Sequence, residues 1–145
     1  EIHRADQRRV AIVSANLRGI DLGTAITEVQ KMVADAWAPD VHEVLSTAPR
    51  GTIDVFAART EDGRKLVVRA VNLTKEPREI ALSVEGFAPT RPVARRVTLA
   101  HDDLLDSNTA ETPELIAPVT GEWKHDGLSA PLRLPPQSFT VVELE

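Results

Sequence analysis

Apolar and polar positions follow two different periods in this chain, and the period changes near residue 40. Before that point, a short apolar run at 10–15 (VAIVSA) precedes apolar residues that recur three and four positions apart. Such spacing places side chains on one face of a helix, and the residues concerned are Ile26, Val29, Met32, Val33, Ala36 and Trp37. Residues 1–39 are therefore predicted to form one strand and one helix.

Local signals mark both ends of this helix. The hydroxyl of Thr24 can accept a hydrogen bond from a free backbone N–H and so cap the helix start. Glu28 lies in the early turns, where the helix dipole favours a carboxylate. Pro39 disfavours helical geometry at the residue before it, so we expect the helix to end there.

From residue 41 onward the period becomes two, which is typical of β-strands. Residues 53–57 alternate in this way, and the alternation resumes at 66–70. Between them the segment TEDGR offers a tight turn, with Gly63 able to adopt a positive φ. The pattern predicts a β-hairpin.

The remaining apolar segments also alternate. In REIALSVEG, residues 78–86, Ile80, Leu82 and Val84 fall on one face, and further strands are expected at 93–99, 128–134 and 138–144. Most connections are too short for crossover helices, which favours a mainly β fold, an antiparallel β-sandwich over 40–145 with a short N-terminal strand-helix extension. The side chains expected to point inward are Leu82, Val84, Val68 and Val141.

Composition excludes several functional classes. The net charge is −5 and the basic residues are scattered among acids, which argues against a nucleic-acid partner. The absence of cysteine excludes disulfides, zinc ribbons and thiol catalysis. No apolar run is long enough for a membrane span, so no membrane partner is expected. A start at Glu1 is typical of a fragment, and since no leader sequence is seen, we expect a cytoplasmic location.

The second part of the chain resembles a known family. Its features are Val71 and Asn72 at a strand end, a loop built on Asn108, Pro113 and Pro118, and the closing segment LPPQSFTVVEL. In this order they resemble the C-terminal β-sandwich of the α-L-arabinofuranosidases of glycoside hydrolase family 51, over about residues 40–145. The resemblance implies a noncatalytic accessory domain of an enzyme that acts on arabinose-containing polysaccharides. It also implies a catalytic barrel domain as partner, through which a homo-oligomer could form.

The same resemblance predicts that this chain has no catalytic residue and no cofactor. In the family, the acid/base and nucleophile glutamates lie on a (β/α)8 barrel, a fold that takes roughly 250 residues. Retaining hydrolysis needs two carboxyl groups about 5 Å apart across the sugar. The acids of this chain fall mostly on predicted solvent faces or in one long loop. We therefore expect no hydrolysis by the chain alone.

Residues 8–30 resemble a different family, the porter region of the resistance-nodulation-division efflux pumps, in a strand-turn-helix unit. The match ends near Met32, where the pump family would continue with a proline-glycine turn. A natural fusion, a chimera and a chance match all remain open. Pump activity does not follow, because the membrane helices and proton-relay acids are absent.

The long loop between Leu99 and Val119 carries the chemistry that most resembles a site. A divalent metal ion favours an imidazole and several carboxylates, and the loop supplies His101, Asp102, Asp103 and Asp106. Their spacing matches no known metal-binding loop. We therefore favour a structural loop without a metal, in which Asp102 or Asp103 caps a helical turn and Asn108 bonds the backbone.

An alternative function remains open. The chain could be a free-standing carbohydrate-binding or protein-interaction module with a porter-derived N-terminal segment, and Trp123 is the residue that suggests sugar binding. Trp123 could stack on a sugar ring or could cover the core. Glycan-binding faces usually present several rings, whereas this chain has two tryptophans, three phenylalanines and no tyrosine. That content favours the accessory domain.

Two further groups of residues are expected to carry no function. Asn72, Leu73 and Thr74 form a glycosylation sequon that we expect to remain unmodified. The histidines His3, His42 and His125 are scattered singly, and isolated histidines are rarely ligands.

Overall fold

The computed structural model describes residues 22–100, 108–113 and 115–145. The apolar run predicted as a strand at 10–15, and the porter-like stretch up to residue 21, lie outside the described residues. In the part of the chain that is described, one helix precedes the strands, and the elements are α1 (Leu22–Asp35), β1 (Asp40–His42), β2 (Ile53–Arg59), β3 (Leu66–Asn72), β4 (Arg78–Ile80), β5 (Val93–Leu99), β6 (Val119–Lys124), β7 (Leu132–Leu134) and β8 (Ser138–Leu144).

Six of the strands form one antiparallel sheet in the order β1-β2-β3-β8-β5-β6, and β4 pairs with β7 in a small second sheet. The mainly β fold is thus confirmed. Helix α1 packs on one face of the large sheet, which we call the helix side. The small sheet covers the other face, the sandwich side. No helix among the described residues has the length and apolar character needed to cross a membrane.

The predicted hairpin is confirmed as β2 and β3, with Ile53 opposite Asn72 and Arg59 opposite Leu66. Gly63 has a φ of 70°, a conformation that costs other L-residues free energy and glycine little. The carboxylate of Asp62 organises the turn, because it accepts hydrogen bonds from the Thr60 hydroxyl at 2.6 Å and the Arg64 backbone N–H at 3.0 Å. The bond from Thr60, followed by that from Arg64, lowers the pKa of Asp62 below its ordinary value.

Helix α1 buries the face that its spacing predicts. Val29, Met32 and Ala36 are buried against helix-side residues of the sheet, and Val33 packs at the margin of this cluster. The buried guanidinium of Arg69 donates to the carbonyl of Ala36 at 3.0 Å. That carbonyl lies at the helix C-terminus, where backbone acceptors lack intrahelical partners. Arg69 therefore ties the helix end to the sheet.

Two sequence predictions about this helix are wrong. The helix begins at Leu22, so Thr24 lies inside it and not at its start. Trp37 lies beyond the helix end and is 65% exposed, so it does not complete the apolar face. Once the chain leaves the helical path, alternate residues face opposite sides, and Ala36 and Ala38 turn inward while Trp37 turns outward.

The sandwich-side core joins the large and the small sheet. Leu66, Val68 and Leu144 pack against Leu132 and Leu134, and each of these five residues is buried. The central strand β3 is buried along its whole length, because its two faces belong to the helix-side and the sandwich-side cores. This two-sided burial explains its nearly continuous apolar sequence.

Several details of the predicted strands need correction. The strand expected over 128–134 begins only at Leu132, because Asp126 and Leu128 have a positive φ and belong to a turn. The strand expected over 78–86 ends at Ile80, although Leu82 and Val84 still turn toward the sandwich-side core. Val141 was grouped with Val68, but it lies on the helix side, because its register partner is Arg69. Strand β6 was not predicted, since its sequence VTGEWK alternates poorly and all but one of its residues are exposed.

Candidate functional site

Trp123, the predicted sugar contact, is a core residue. Its side chain is 6% exposed and packs in the sandwich-side cluster. Its indole N–H donates to the carbonyl of Pro131 at 3.1 Å, and the ring of His125 lies 5.3 Å away. Stacking on a sugar needs an open ring face, which this position lacks. The structure agrees with the other interpretation, in which Trp123 covers the core.

The structural role expected of Asn108 agrees with its contacts. Its side-chain amide donates to the carbonyl of Ile116 at 2.9 Å, and its side-chain oxygen accepts from the N–H of the same residue at 2.6 Å. This pair of bonds closes the loop and holds Ile116, which is buried in the helix-side core. Asp102 and Asp103, like His101 and Asp106, lie outside the described residues.

The side chain of Asn72 is fully buried, and both its amide nitrogen and its oxygen have hydrogen-bond partners. Its amide donates to the carbonyls of Glu76 and Pro135, both at 2.8 Å. Its oxygen accepts from the Thr74 hydroxyl at 2.7 Å and from the Thr74 N–H at 3.0 Å. A glycan on this nitrogen would displace these bonds, so a modified Asn72 is incompatible with this fold.

The two described histidines have different surroundings. His42 is exposed on β1, with its Nε2 3.5 Å from the carboxylate of Asp40. His125 is fully buried, and its Nδ1 accepts from the N–H of Leu128 at 3.3 Å. His3 lies outside the described residues.

Across residues 22–100, 108–113 and 115–145, no three histidine or acidic side chains come close enough to hold a metal ion. Two acids near the end of β8, Glu143 and Glu145, are instead bound to basic residues. Arg95 contacts Glu143 at 2.6 Å, and Glu145 contacts Lys65 at 2.8 Å and Arg91 at 2.9 Å. Each of these carboxylates is therefore engaged by at least one basic side chain.

These ion pairs line the strand section of a surface groove, about 570 Å³ in volume. Its position follows from the register, since Val67, Glu143, Arg95 and Glu122 are cross-strand neighbours over β3, β8, β5 and β6. The hydrogen bond with Glu145 raises the pKa of Lys65, and the same bond lowers the pKa of Glu145. Both groups are therefore charged at neutral pH.

Lys65 also lines a second section of the groove, the hairpin section, of about 490 Å³. This section lies between the residues after α1 and the β2–β3 turn, and is lined by Trp37, Pro39, Thr60, Glu61, Asp62 and Lys65. The two sections have Lys65 in common and adjoin at this residue. The exposed tryptophan of the molecule is thus Trp37, in a groove that sequence reasoning did not predict. Pro39, two positions after Trp37, was the sequence signal that the helical face does not extend through this segment.

Comparison with known proteins gives one consistent result. No family model and no curated protein matches the chain. Among solved structures, the arabinofuranosidase of Thermotoga maritima is 29% identical with a TM-score of 0.58, and the match covers 70% of this chain and 20% of that one. The family 51 α-L-arabinofuranosidase of Thermotoga petrophila is 28% identical, with the same TM-score of 0.58 and the same coverage of 70% and 20%.

A third relative widens the comparison. The family 51 α-L-arabinofuranosidase of Bifidobacterium longum is 26% identical with a TM-score of 0.56, over 75% of this chain and 21% of that one. The chain therefore spans about one fifth of the length of each of these enzymes. The resemblance inferred from sequence is confirmed: the fold is that of a noncatalytic domain of the family 51 arabinofuranosidases.

Proposed function

We propose that this chain is the accessory domain of an arabinofuranosidase-like glycoside hydrolase that acts on arabinose-containing polysaccharides. The observation that carries the proposal is the likeness to about one fifth of each family 51 enzyme, at 26–29% identity. The remaining four fifths of such an enzyme would supply the catalytic barrel. A homo-oligomer formed through that barrel, and a cytoplasmic location, stay predictions.

The chemistry of the described surface supports an accessory role. Glu143 and Glu145 are the acids most closely associated with other charges in the groove, and both are bound by basic side chains at 2.9 Å or less. The core agrees with it as well, since strands β3 and β8 are buried almost throughout. Such a domain gives a rigid body that can cover the flank of a barrel.

The proposal is tested in two steps. The purified chain is first assayed with a chromogenic arabinofuranoside, and we expect no turnover. The corresponding domain of the Bifidobacterium longum enzyme is then replaced by this chain. We expect this replacement to restore activity and thermal stability that the enzyme loses when the domain is deleted.

A matched control is the same enzyme carrying an unrelated β-sandwich of similar size at that position. The accessory role requires that this chain restores more activity than the control does. Turnover by the isolated chain, after removal of contaminating hydrolases, would contradict the proposal. Equal behaviour of the two replacements would contradict it as well.

A further inference from the structure

Exposed apolar side chains concentrate along one edge of the large sheet. Among the described residues, five large apolar side chains are exposed, and three of them, Trp37, Val41 and Leu45, lie within nine consecutive positions. Their exposed fractions are 65%, 53% and 88%. Burial of large apolar side chains is favourable, so a stretch that leaves three of them in water is a candidate contact surface for another protein.

Strand β1 forms the middle of this stretch and is the first strand of the large sheet. It pairs with β2 on one side, and no strand of the described residues pairs with it on the other. Asp40 pairs with Arg59 at the end of β2, and Trp37 lines the hairpin section with the turn residues Glu61 and Asp62. Trp37 therefore lies near the line of β1 beyond its first residue. Such an edge exposes backbone N–H and C=O groups that can pair with a further strand.

The sequence of this stretch is complementary to itself about Val41. In an antiparallel pair of two copies with their Val41 residues opposite each other, Trp37 of each copy lies opposite Leu45 of the other, since each is four positions from Val41. Asp40 of each copy then lies opposite His42 of the other, and an imidazole N–H can donate to a carboxylate. Apolar residues thus meet apolar residues, and acids meet hydrogen-bond donors, which are stabilising cross-strand pairs.

Other registers are less favourable. An axis at Asp40 would place two carboxylates opposite each other, which is destabilising. An axis at His42 would move Trp37 from Leu45 to a position opposite Thr47. The backbone also allows an axis at Val41, because alternate residues of an edge strand direct their N–H and C=O groups outward, and this axis lets either set pair with its copy.

We propose that two copies of this chain associate through β1, antiparallel and with a twofold axis at Val41, so that their large sheets join into one continuous sheet. The axis uses the same edge of both copies, so the contact closes at a dimer and does not extend to a fibre. This dimer needs no catalytic barrel, and it differs in this respect from an oligomer formed through that domain. The inference is independent of the proposed function.

Sedimentation of the whole chain over a range of concentrations measures the association. A contact made by one short strand and its flanks is smaller than a standard interface, so we expect a reversible dimer with a dissociation constant roughly in the micromolar range or weaker. Val41→Lys places two ammonium groups opposite each other at the axis and should weaken the dimer about tenfold or more. The parent should remain dimeric at concentrations where this variant is monomeric.

The register is tested by opposite charges at the axis. Val41→Glu should weaken the dimer as Val41→Lys does, whereas an equimolar mixture of the two variants should form a heterodimer. The matched control is Val119→Lys, which places the same charge at an exposed valine of the other edge strand, β6. This control should dimerise like the parent.

A cross-link gives a second measurement that does not depend on charge. The chain contains no cysteine, so Val41→Cys introduces a single thiol that mild oxidation should convert into a disulfide-linked dimer. A mixture of Trp37→Cys and Leu45→Cys should cross-link faster than either variant alone. Val119→Cys should remain largely monomeric under the same conditions.

Three results would overturn the proposal. The first is a parent chain that stays monomeric up to millimolar concentration. The second is a dimer that Val41→Lys leaves unchanged. The third is a dimer in which the mixed-charge variants do not associate and Val41→Cys does not cross-link, which would place the contact elsewhere on the molecule.

Discussion

Single residues in this domain contribute through contacts that only a folded chain can supply. Asn108 is the clearest case, because one side chain meets both the N–H and the carbonyl of Ile116. Asn72 does the same for the segment after β3, with its oxygen on Thr74 and its amide on Glu76 and Pro135. Both asparagines replace backbone pairing where the chain is irregular.

Asn108→Ala should lower the free energy of unfolding by about 1–3 kcal/mol, since two backbone groups lose their partners. Denaturant unfolding of the parent and the variant measures the difference. Thr109→Ala is a suitable comparison, because its side chain is exposed and its contacts stay within the loop, at Thr112. Equal, small losses for both variants would show that the loop is not held by Asn108.

The depth of a leucine decides what its truncation costs. Leu132 is fully buried between the sheets, whereas Leu82 is half-buried at the margin of the same cluster. Leu132→Ala should therefore cost about 2–5 kcal/mol, and Leu82→Ala roughly half as much, since less apolar surface returns to water. Ser83 directly follows Leu82 and its side chain is exposed. Ser83→Ala should therefore change the free energy of unfolding by less than about 0.5 kcal/mol. A larger loss at Ser83 than at Leu82 would mean that the register of this segment is wrong by one residue.

At the scale of elements, particular side chains stabilise the β2–β3 turn and the C-terminal end of α1. The β2–β3 turn combines a positive φ at Gly63 with a carboxylate at Asp62 that accepts two hydrogen bonds. The end of α1 uses a buried arginine, which donates to Ala36 and lies 5.2 Å from the ring of Phe56. Each device satisfies backbone groups that regular structure leaves without partners.

The turn gives this hairpin a predictable response to acid. The pKa of Asp62 is lowered in the folded state, so its carboxylate stabilises the fold above its ordinary pKa, and this contribution is lost as pH falls through the lowered value. Asp62→Asn should remove this contribution and flatten the acid limb of the stability profile. Thermal melts of both proteins between neutral and strongly acidic pH measure it. Parallel profiles would contradict the role assigned to Asp62.

For the molecule as a whole, the arrangement of layers determines which surfaces are buried in the core and which are exposed. The large sheet is covered by α1 on one side and by the small sheet on the other, which leaves the groove and the sheet edges as the surfaces open to partners. Val41 on edge strand β1 and Val119 on edge strand β6 are exposed apolar residues, 53% and 71%. A domain that rests against a barrel can use such an edge.

Much of this architecture could be predicted from the sequence, because it depends on local patterns. The period of two identified β2, β3 and β8, the segment TEDGR identified their turn, and the spacing of Val29, Met32 and Ala36 identified the buried face of α1. These signals lie within a few residues of the elements they predict, and hydrophobic burial enforces them directly. The order of motifs over 40–145 likewise sufficed for the family resemblance.

Other features were decided only by the tertiary structure. Which face a strand residue takes depends on both layers, so Val141 joined the helix side although its local pattern matched that of Val68. The exposure of Trp37 was also decided by the fold, because this residue follows the helix end, whereas Trp123 lies in the core against Pro131 and His125. The groove joins residues from the segment after α1, the hairpin and the last strand, which are distant in sequence. The sequence determined the elements through local periodicity, whereas burial, pairing and the candidate site depended on contacts between residues that only folding brings together.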